Sequence, residues 1–186
     1  IHFPQSQHDI EIYPLYIERL AYDEALSRQL ALKLIRLYKR KKNKKPKISK
    51  NTLINKLLKL LPFKLTSSQK IVLKDVYKDL NSNERMSRLI QGDVGSGKTI
   101  IAFLSLLHTI EAGFQGTLMV PTEILAQQHY NFFNEYCSKL DINIVLLVGK
   151  IKTLNKKEIL YKITEGLVDI VIGTHAIIQK DVKFKN

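Results

Sequence analysis

Short apolar runs alternate with longer stretches of helical periodicity in the second half of the chain. The runs at residues 117–120, 143–148 and 168–172 predict strands. Between them, apolar positions at helical spacing predict one helix from Glu123 to about Ser138 and another from Thr153 to Glu165. Strands that alternate with helices are typical of a parallel, doubly wound sheet, which binds ligands at the carboxyl ends of its strands. We therefore expect an α/β fold with a functional edge.

Two further apolar segments flank a glycine-rich stretch near the middle of the chain. Residues 88–91 are short and apolar, which predicts a strand. Residues 100–107 are apolar on all sides, which predicts a helix packed on the sheet, and Gly113 is placed to end it. The stretch between them therefore lies where a strand turns into a helix.

The first half of the chain predicts a helical segment ahead of the α/β region. Apolar residues recur at helical spacing from Ala21 to Arg40. We expect Pro14 to prevent an earlier helical start, so that Asp23 and Glu24 lie in the first turn. We also expect the apolar face to pack on a neighbouring domain. That face holds Tyr22, Leu26, Leu30, Leu34, Leu37 and Tyr38.

Two shorter helices follow, and they set the expected domain boundaries. One runs from Thr52 to Leu61 and is stopped by Pro62, and the next begins at Thr66 and runs to about Leu80. We expect residues 1–20 to be the tail of an upstream domain. Residues 21–62 then form a helical linker, and residues 63–186 the start of an α/β domain.

Charge favours a polyanionic partner. The chain carries 30 Lys and Arg against 17 Asp and Glu, a net charge of +13. Residues 39–50 hold eight of the basic residues and no acid. This basic run is either an arm that contacts phosphates or a solvated linker, and the sequence leaves both open.

Cysteine usage and hydropathy favour a cytoplasmic protein without a membrane span. The single cysteine, Cys137, excludes an internal disulfide framework. It lies in a predicted helix and is expected to be buried in the protein core. The longest apolar run, Ile100 to Leu107, is far shorter than the roughly 20 residues that cross a bilayer.

The glycine-rich stretch fits G-x-x-x-x-G-K-[ST], the phosphate-binding loop of nucleoside-triphosphate hydrolases. Its glycines allow successive backbone N–H groups to point at phosphates, and the start of a helix favours an anion. Lys98 is placed to reach the β- and γ-phosphates, and the Thr99 hydroxyl to ligate Mg²⁺. The loop reads Gly92-Asp93-Val94-Gly95-Ser96-Gly97-Lys98-Thr99. ATP with Mg²⁺ is the expected ligand.

Thr66-x-x-Gln69 is a capping box, in which the Thr66 hydroxyl accepts from the third helical N–H and Gln69 reaches back to the backbone. That gives Gln69 a complete structural explanation. Any contact of its side chain with a ligand would compete with this cap.

Three segments carry a resemblance to a known family. They are residues 86–99, residues 119–130 (MVPTEILAQQHY) and residues 172–176 (IGTHA). Together they resemble the first motifs of the RecG family of branch-migration DNA helicases in superfamily 2. The transcription-repair coupling translocases share much of this pattern and are the alternative. Gln91, Ser96 and Glu123 favour the RecG family.

The resemblance implies a partial RecA-like fold over residues 63–186 and roles for residues outside the loop. It implies that Gln69 reads the adenine edge, which we expect only if the side chain leaves the backbone. It also implies that two segments, Pro121-Thr122 and Gly173-Thr174-His175, contact phosphates of the tracked DNA strand. Thr122 could equally be only a helix N-cap. We do not expect His175 to act as a catalytic base, since ATP hydrolysis needs a carboxylate that positions water.

The resemblance also implies parts that this sequence does not show. The family continues with a strand ending in Asp-Glu, the Walker B carboxylates, whereas Asp169 precedes its apolar run. We therefore expect an excerpt of a larger monomeric motor for branched double-stranded DNA, such as forks and Holliday junctions. By itself the chain should bind nucleotide without hydrolysing it. A nucleic-acid-binding module without turnover, or a kinase-like enzyme, are the alternatives from other classes.

Overall fold

The computed structural model describes residues 6–7, 13–40, 44–149 and 153–185, with side chains for all of these except 13–15, 39–40 and 153–154. The chain divides into two compact units. One comprises Ile1–Lys44 with Glu84–Ser87, and the other Lys45–Asn83 with Arg88–Asn186. Residues 1–5 and 8–12 of the predicted upstream tail, and residues 41–43 of the basic run, lie outside the described residues.

In the part of the first unit that the structure describes, the long helix is α1 (Tyr13–Arg40). It begins well before the predicted start at Ala21, so the expectation that Pro14 would break a helix was wrong. Proline is tolerated in the first turn, because the N–H that it lacks would have no intrahelical acceptor there.

Because α1 starts early, its acidic residues lie in the middle of the helix and not in the first turn, which contains no acid. Asp23 pairs with Arg19 at 3.2 Å and Glu24 with Arg28 at 2.7 Å, each one turn away. The apolar positions along α1 are exposed, among them Leu26, Leu30, Leu34 and Tyr38. The expected packing of this helix on another domain stays a prediction.

The second unit is built from five helices and three strands within the described residues. The helices are α2 (Thr52–Leu60), α3 (Ser67–Asn81), α4 (Lys98–Glu111), α5 (Glu123–Cys137) and α6 (Thr153–Thr164). The strands are β1 (Gly116–Met119), β2 (Ile144–Leu147) and β3 (Ile170–Gly173), and a short 3-10 helix follows at His175–Ile178.

The three strands form one parallel sheet in the order β1-β3-β2. Gly116 on β1 and Ile144 on β2 are both in register with Ile170 on the central strand. Helix α5 connects β1 to β2, which lie on either side of β3, and α6 connects β2 to its neighbour β3; parallel strands need such crossover connections. The predicted fold class, a partial RecA-like α/β domain after a helical segment, is confirmed.

Helices cover both faces of the central strand. Ile170 and Ile172 belong to the larger core, where Phe103 of α4 stacks on Phe133 of α5 at 4.2 Å between ring centroids. Val171, on the opposite face, belongs to a second core that contains Ile163 of α6. Burial on both faces explains why β3 reads as a continuous apolar run.

Helix α2 is part of this unit, although the sequence placed it in the linker. Ile54 and Leu57 are buried in the larger core, with 5% and 0% exposure. The start of α2 is held by Glu111 of α4, whose carboxylate accepts from the Thr52 backbone N–H and from the Ser49 hydroxyl. The second unit therefore begins at Lys45, because residues ahead of the expected boundary at 63 are needed to fill its core.

The second half of the basic run is attached to the fold. Lys47 donates its backbone N–H to the carbonyl of Leu80, and its own carbonyl lies 2.7 Å from Nε2 of His108. Its ammonium lies 3.5 Å from the centre of the Phe114 ring. The part of the run at Lys47 is thus neither a free arm nor a solvated linker.

The strand predicted at residues 88–91 does not form. These residues have no ladder partner among the described strands, and Leu89 is 87% exposed. Only Ile90 packs against the core, while Arg88 is held by Asp79 of α3 at 2.7 Å. An extended segment becomes a strand only when a neighbour accepts its backbone hydrogen bonds, and the sheet described here offers none at this point.

Cys137 lies in the core, as expected. It is fully buried in α5, and burial, with a smaller contribution from the charge of Asp169, raises the pKa of its thiol to about 12. The thiol is therefore unreactive at neutral pH.

Among the described helices, none combines the length and the apolar character needed to cross a bilayer.

Candidate functional site

The phosphate loop owes its shape to two glycines with left-handed backbone. Gly95 and Gly97 both have φ of 81°, which a residue with a Cβ adopts only under strain. A Cβ at Gly97 would in addition overlap the amide of Gln69. Gly92 has an ordinary φ, but a Cβ there would lie 2.8 Å from the Ser96 hydroxyl. Gly92 is therefore required for space, whereas Gly95 is required for its backbone conformation.

This geometry leaves backbone donors without partners. Within the described part of the chain, the N–H groups of Gly95, Gly97, Lys98 and Thr99 donate no hydrogen bond. Two of these residues begin α4, so the helix dipole adds partial positive charge at the same place. A cluster of unpaired amides at a helix start is an anion site.

Lys98 lies over the loop that precedes it. Its Nζ donates to the carbonyl oxygens of Gly92 at 2.7 Å and of Asp93 at 2.6 Å, and lies 3.5 Å from the Ser96 hydroxyl. The ammonium is therefore held beside the unpaired amides and adds a full positive charge to the site. The neighbouring Thr99 is half-buried in the first turn of α4.

Gln69 makes both parts of the predicted capping box. Its Oε1 accepts from the Thr66 backbone N–H at 2.9 Å, and its own N–H donates to the Thr66 hydroxyl at 3.2 Å. The side chain also donates from Nε2 to the carbonyl of Ser96 in the phosphate loop at 3.0 Å. One N–H and one lone pair of the amide remain, so the cap alone does not exclude a contact with adenine.

The carboxyl edge of the sheet brings the other predicted segments together. Met119 pairs with Gly173, and the Val120 N–H donates to the Gly173 carbonyl at 2.9 Å. Pro121-Thr122 and Thr174-His175 therefore leave the sheet from adjacent strand ends. Helix α4 ends just before β1 begins and packs on it, so its start, with the phosphate loop, points toward the same edge.

The predicted segments at this edge differ in what they expose. Thr122 is the N-cap of α5, and its hydroxyl accepts from the Leu125 N–H at 3.3 Å. Thr174 is 3% exposed, whereas the side chain of His175 lies at the surface. At this position a ligand would meet backbone and His175 more readily than the Thr174 hydroxyl.

No described strand ends in a carboxylate. Val120, Val148 and Thr174 follow the three strands, and Asp169 lies before β3, where it accepts from the Asn143 N–H at 2.8 Å. In the described ranges, no group of three His, Cys, Asp or Glu side chains is placed to hold a metal ion. Among the loop residues, the Thr99 hydroxyl is the group whose chemistry suits a Mg²⁺ ligand.

Sequence reasoning missed two contacts that shape the site. The bond from Gln69 to the Ser96 carbonyl has no signal in the sequence, because it joins segments that only the fold brings together. The close approach at Gly173, where a Cβ would overlap the Leu147 carbonyl oxygen, was equally hidden. A glycine inside a strand is a general hint of such an approach.

Comparison with known proteins places these features in a family. The family model described as DEAD/DEAH box helicase matches residues 66–186. The chain is 45% identical over its whole length to the ATP-dependent DNA helicase RecG of Thermotoga maritima and covers 24% of that protein. It is 40% identical, again over its whole length, to RecG of Bacillus subtilis and covers 27% of it. The chain thus spans about a quarter of the curated relatives that it matches.

Solved structures give the same result. A structure of RecG bound to a three-way DNA junction aligns with 99% of this chain, with a TM-score of 0.85 and 45% identity. The aligned part is 25% of that RecG chain. The crystal structure of the DUF1998 helicase MrfA shares the fold over 67% of the chain, with a TM-score of 0.52 and 21% identity. The resemblance to RecG drawn from the motifs is confirmed, and the chain belongs to the DEAD/DEAH box helicase family.

Proposed function

We propose that this chain is the front part of the motor of an ATP-dependent DNA helicase that acts on branched DNA. The observation that carries the proposal is the set of unpaired amides at Gly95, Gly97, Lys98 and Thr99 around the Lys98 ammonium. The whole protein would drive branch migration at forks and Holliday junctions, as a monomer in the cytoplasm. Its relatives are named ATP-dependent DNA helicase RecG.

ATP would bind with its phosphates against the loop. The four amides would donate to phosphate oxygens, and Lys98 would exchange the carbonyls of Gly92 and Asp93 for the β- and γ-phosphates. The Thr99 hydroxyl would ligate Mg²⁺, which supplies charge neutralisation between the phosphates. Gln69 would contact adenine with the N–H and lone pair that its cap leaves available.

The carboxyl edge would hold the tracked DNA strand. Pro121, Thr122, Gly173, Thr174 and His175 lie at adjacent strand ends, where backbone N–H groups, the Thr122 hydroxyl and the exposed His175 can bind phosphates without reading bases. Such contacts suit a motor, because they are independent of sequence. The solved structure of the relative bound to a three-way junction supports branched DNA as the substrate.

Hydrolysis should require residues beyond this chain. The three described strands are followed by Val120, Val148 and Thr174, which cannot position a water molecule or complete a Mg²⁺ site as carboxylates do. We therefore propose that the 186-residue chain binds nucleotide without turning it over.

Titration of a fluorescent ATP analogue into the chain with Mg²⁺ tests the nucleotide site. Lys98→Ala should weaken binding about ten- to hundredfold, since a hydrogen bond from a charged group contributes about 1.5–3 kcal/mol. Lys139→Ala is the matched control, because Lys139 lies on the surface beside Glu135. Equal affinity of the two variants would refute the phosphate site.

Phosphate release by the same preparations tests the absence of turnover. We expect a background rate from the chain alone, with or without DNA. Release that depends on Lys98 in the isolated chain would show that it hydrolyses ATP unaided.

For the whole motor, we expect the full-length protein to unwind a synthetic Holliday junction. This activity should be lost in Lys98→Ala and retained in Lys139→Ala.

A further inference from the structure

A groove with an apolar floor and a basic rim lies between α2 and α3, and no residue of the nucleotide loop lines it. Ile54 and Leu58 of α2 and Leu73 of α3 line it, with Leu104 of α4 at its base. Its volume is about 450 Å³, within the range of binding clefts, which is about 300–1,000 Å³. The groove can therefore accept several apolar side chains from a partner.

The rim of this groove carries one sign of charge. Lys70, Lys74 and Lys78 lie one turn apart along α3, and all three are exposed. Within the described chain, none of the three pairs with a carboxylate. The acids of the same helix, Asp75 and Asp79, lie 3.7 Å and 2.7 Å from Arg88. No carboxylate lines the groove, so the basic rim is left uncompensated.

We propose that this groove binds an acidic amphipathic helix of a partner protein. Lysines one turn apart along α3 match glutamates or aspartates at the same spacing on a second helix that lies alongside. The apolar face of that helix would fill the floor between α2 and α3. Complementary charge fixes orientation and speeds association, while the buried apolar side chains supply most of the affinity. This surface goes beyond the proposed ATP and DNA functions.

The floor does not suit a single nucleic-acid strand or a second copy of the chain. Binding of single strands relies on free aromatic faces, and the one ring in the groove, Tyr77, is already stacked on His108 at 4.5 Å. A second copy carries the same net charge of +13, which opposes association through a basic rim. An acidic helix satisfies the floor and the rim together.

Fluorescence anisotropy with a synthetic probe tests the proposal. The probe is a labelled helical peptide of Ala, Glu and Leu, with leucines on one face and glutamates along its flank. It should bind the full chain at least about tenfold more tightly than a peptide of the same composition with scrambled order. Lys74→Glu should weaken binding at least about tenfold, because like charges across an interface repel. Lys56→Glu, which makes the same charge change on α2 outside the groove, should alter it less than about twofold.

A substitution in the floor of the groove tests the apolar part of the interface, with circular dichroism as the check on folding. Leu58→Ala should weaken peptide binding and keep the helical signal of the wild type, because Leu58 is only half-buried and its loss should not unfold the chain. Equal binding of the scrambled peptide, or insensitivity to Lys74→Glu, would overturn the proposal. So would loss of duplex DNA binding in Lys74→Glu with the peptide unaffected, which would assign the rim to nucleic acid. Sedimentation that shows a dimer abolished by Lys74→Glu would instead assign the groove to a second copy.

Discussion

Gln69 shows how one side chain links two parts of the site at the scale of single residues. Its Oε1 caps α3 through Thr66, and its Nε2 holds the carbonyl of Ser96 in the phosphate loop. The sequence predicted the cap, because a capping box is local and has its own pattern. It could not predict the loop contact, which depends on how α3 packs beside α4.

Gln69→Glu separates the two contacts of this residue. A glutamate still caps α3, because its carboxylate accepts from the Thr66 N–H, but it has no N–H for the Ser96 carbonyl. We expect the free energy of unfolding to stay within about 0.5 kcal/mol of the wild type, while nucleotide affinity falls about tenfold. Gln69→Ala should in addition lose about 1 kcal/mol of stability with the cap. Thermal unfolding and nucleotide titration measure these effects, with the exposed Gln127→Glu as the charge-matched control. Nucleotide affinity unchanged in Gln69→Glu would contradict the link.

His108 is a second residue whose surroundings set its chemistry. It is 2% exposed, and its Nε2 lies 2.7 Å from the Lys47 carbonyl and 2.9 Å from Oδ1 of Asn81. Both partners are acceptors, which assigns the proton of the neutral ring to Nε2. Nδ1 is buried without a partner in the described chain, so a second proton would find no acceptor.

Stability should therefore fall when the solution becomes acidic. Burial lowers the pKa of His108 below its ordinary value of 6.5, against smaller opposing effects of the Lys47 carbonyl and Glu111. Because the unfolded chain then binds the proton more readily, this contribution is present above about pH 6.5 and is lost as the pH falls toward the lower folded pKa. Denaturant unfolding at several pH values should show a smaller loss of unfolding free energy below pH 6.5 for His108→Gln than for the wild type. The exposed His175→Gln should lose as much as the wild type, and an equal loss in all three proteins would contradict the assignment.

At the scale of elements, periodicity predicted what local sequence decides. Helices α3, α5 and α6 and all three strands lie close to their predicted places, because each has a clear apolar period and an identifiable stop. The prediction of a strand at residues 88–91 was wrong for a non-local reason, since an extended segment forms a strand only beside a partner strand. The predicted start of α1 was wrong because proline is tolerated in the first turn of a helix but not in its interior.

The pairing of β2 with β3 depends on a residue without a side chain. A Cβ at Gly173 would overlap the backbone carbonyl of Leu147, and backbone cannot rotate out of the way. Gly173→Ala should therefore cost about 3 kcal/mol or more of unfolding free energy, at the upper end of overpacking effects. Gly149→Ala is the matched control, because its Cβ would lie 3.4 Å from the flexible carboxylate of Glu123. Chemical denaturation of both variants measures the difference, and similar stabilities would show that the two strands can separate without cost.

At the scale of the whole molecule, a net charge of +13 attracts polyanions, but the fold decides which charges are available. The basic run at residues 39–50 looked uniform in sequence. In the structure, Lys47 is fixed between Leu80, His108 and Phe114, whereas Lys45 and Lys50 are exposed. Lysines that are neighbours in the chain should therefore act differently on DNA.

Single neutralisations within the run separate these roles. If the exposed lysines contact phosphates, Lys45→Gln should reduce the slope of log affinity against log salt by about 0.7–0.9, the counterion release of one contact. Lys47→Gln should leave that slope unchanged and lower the unfolding temperature, because it loses the cation–π contact with Phe114, which contributes about 0.5–2 kcal/mol. DNA titrations at several salt concentrations, with thermal unfolding of the same proteins, measure both. A slope unaffected by Lys45→Gln and Lys50→Gln would exclude this part of the run from the DNA interface. The excess charge would then have to act from the carboxyl edge or from the rest of the surface.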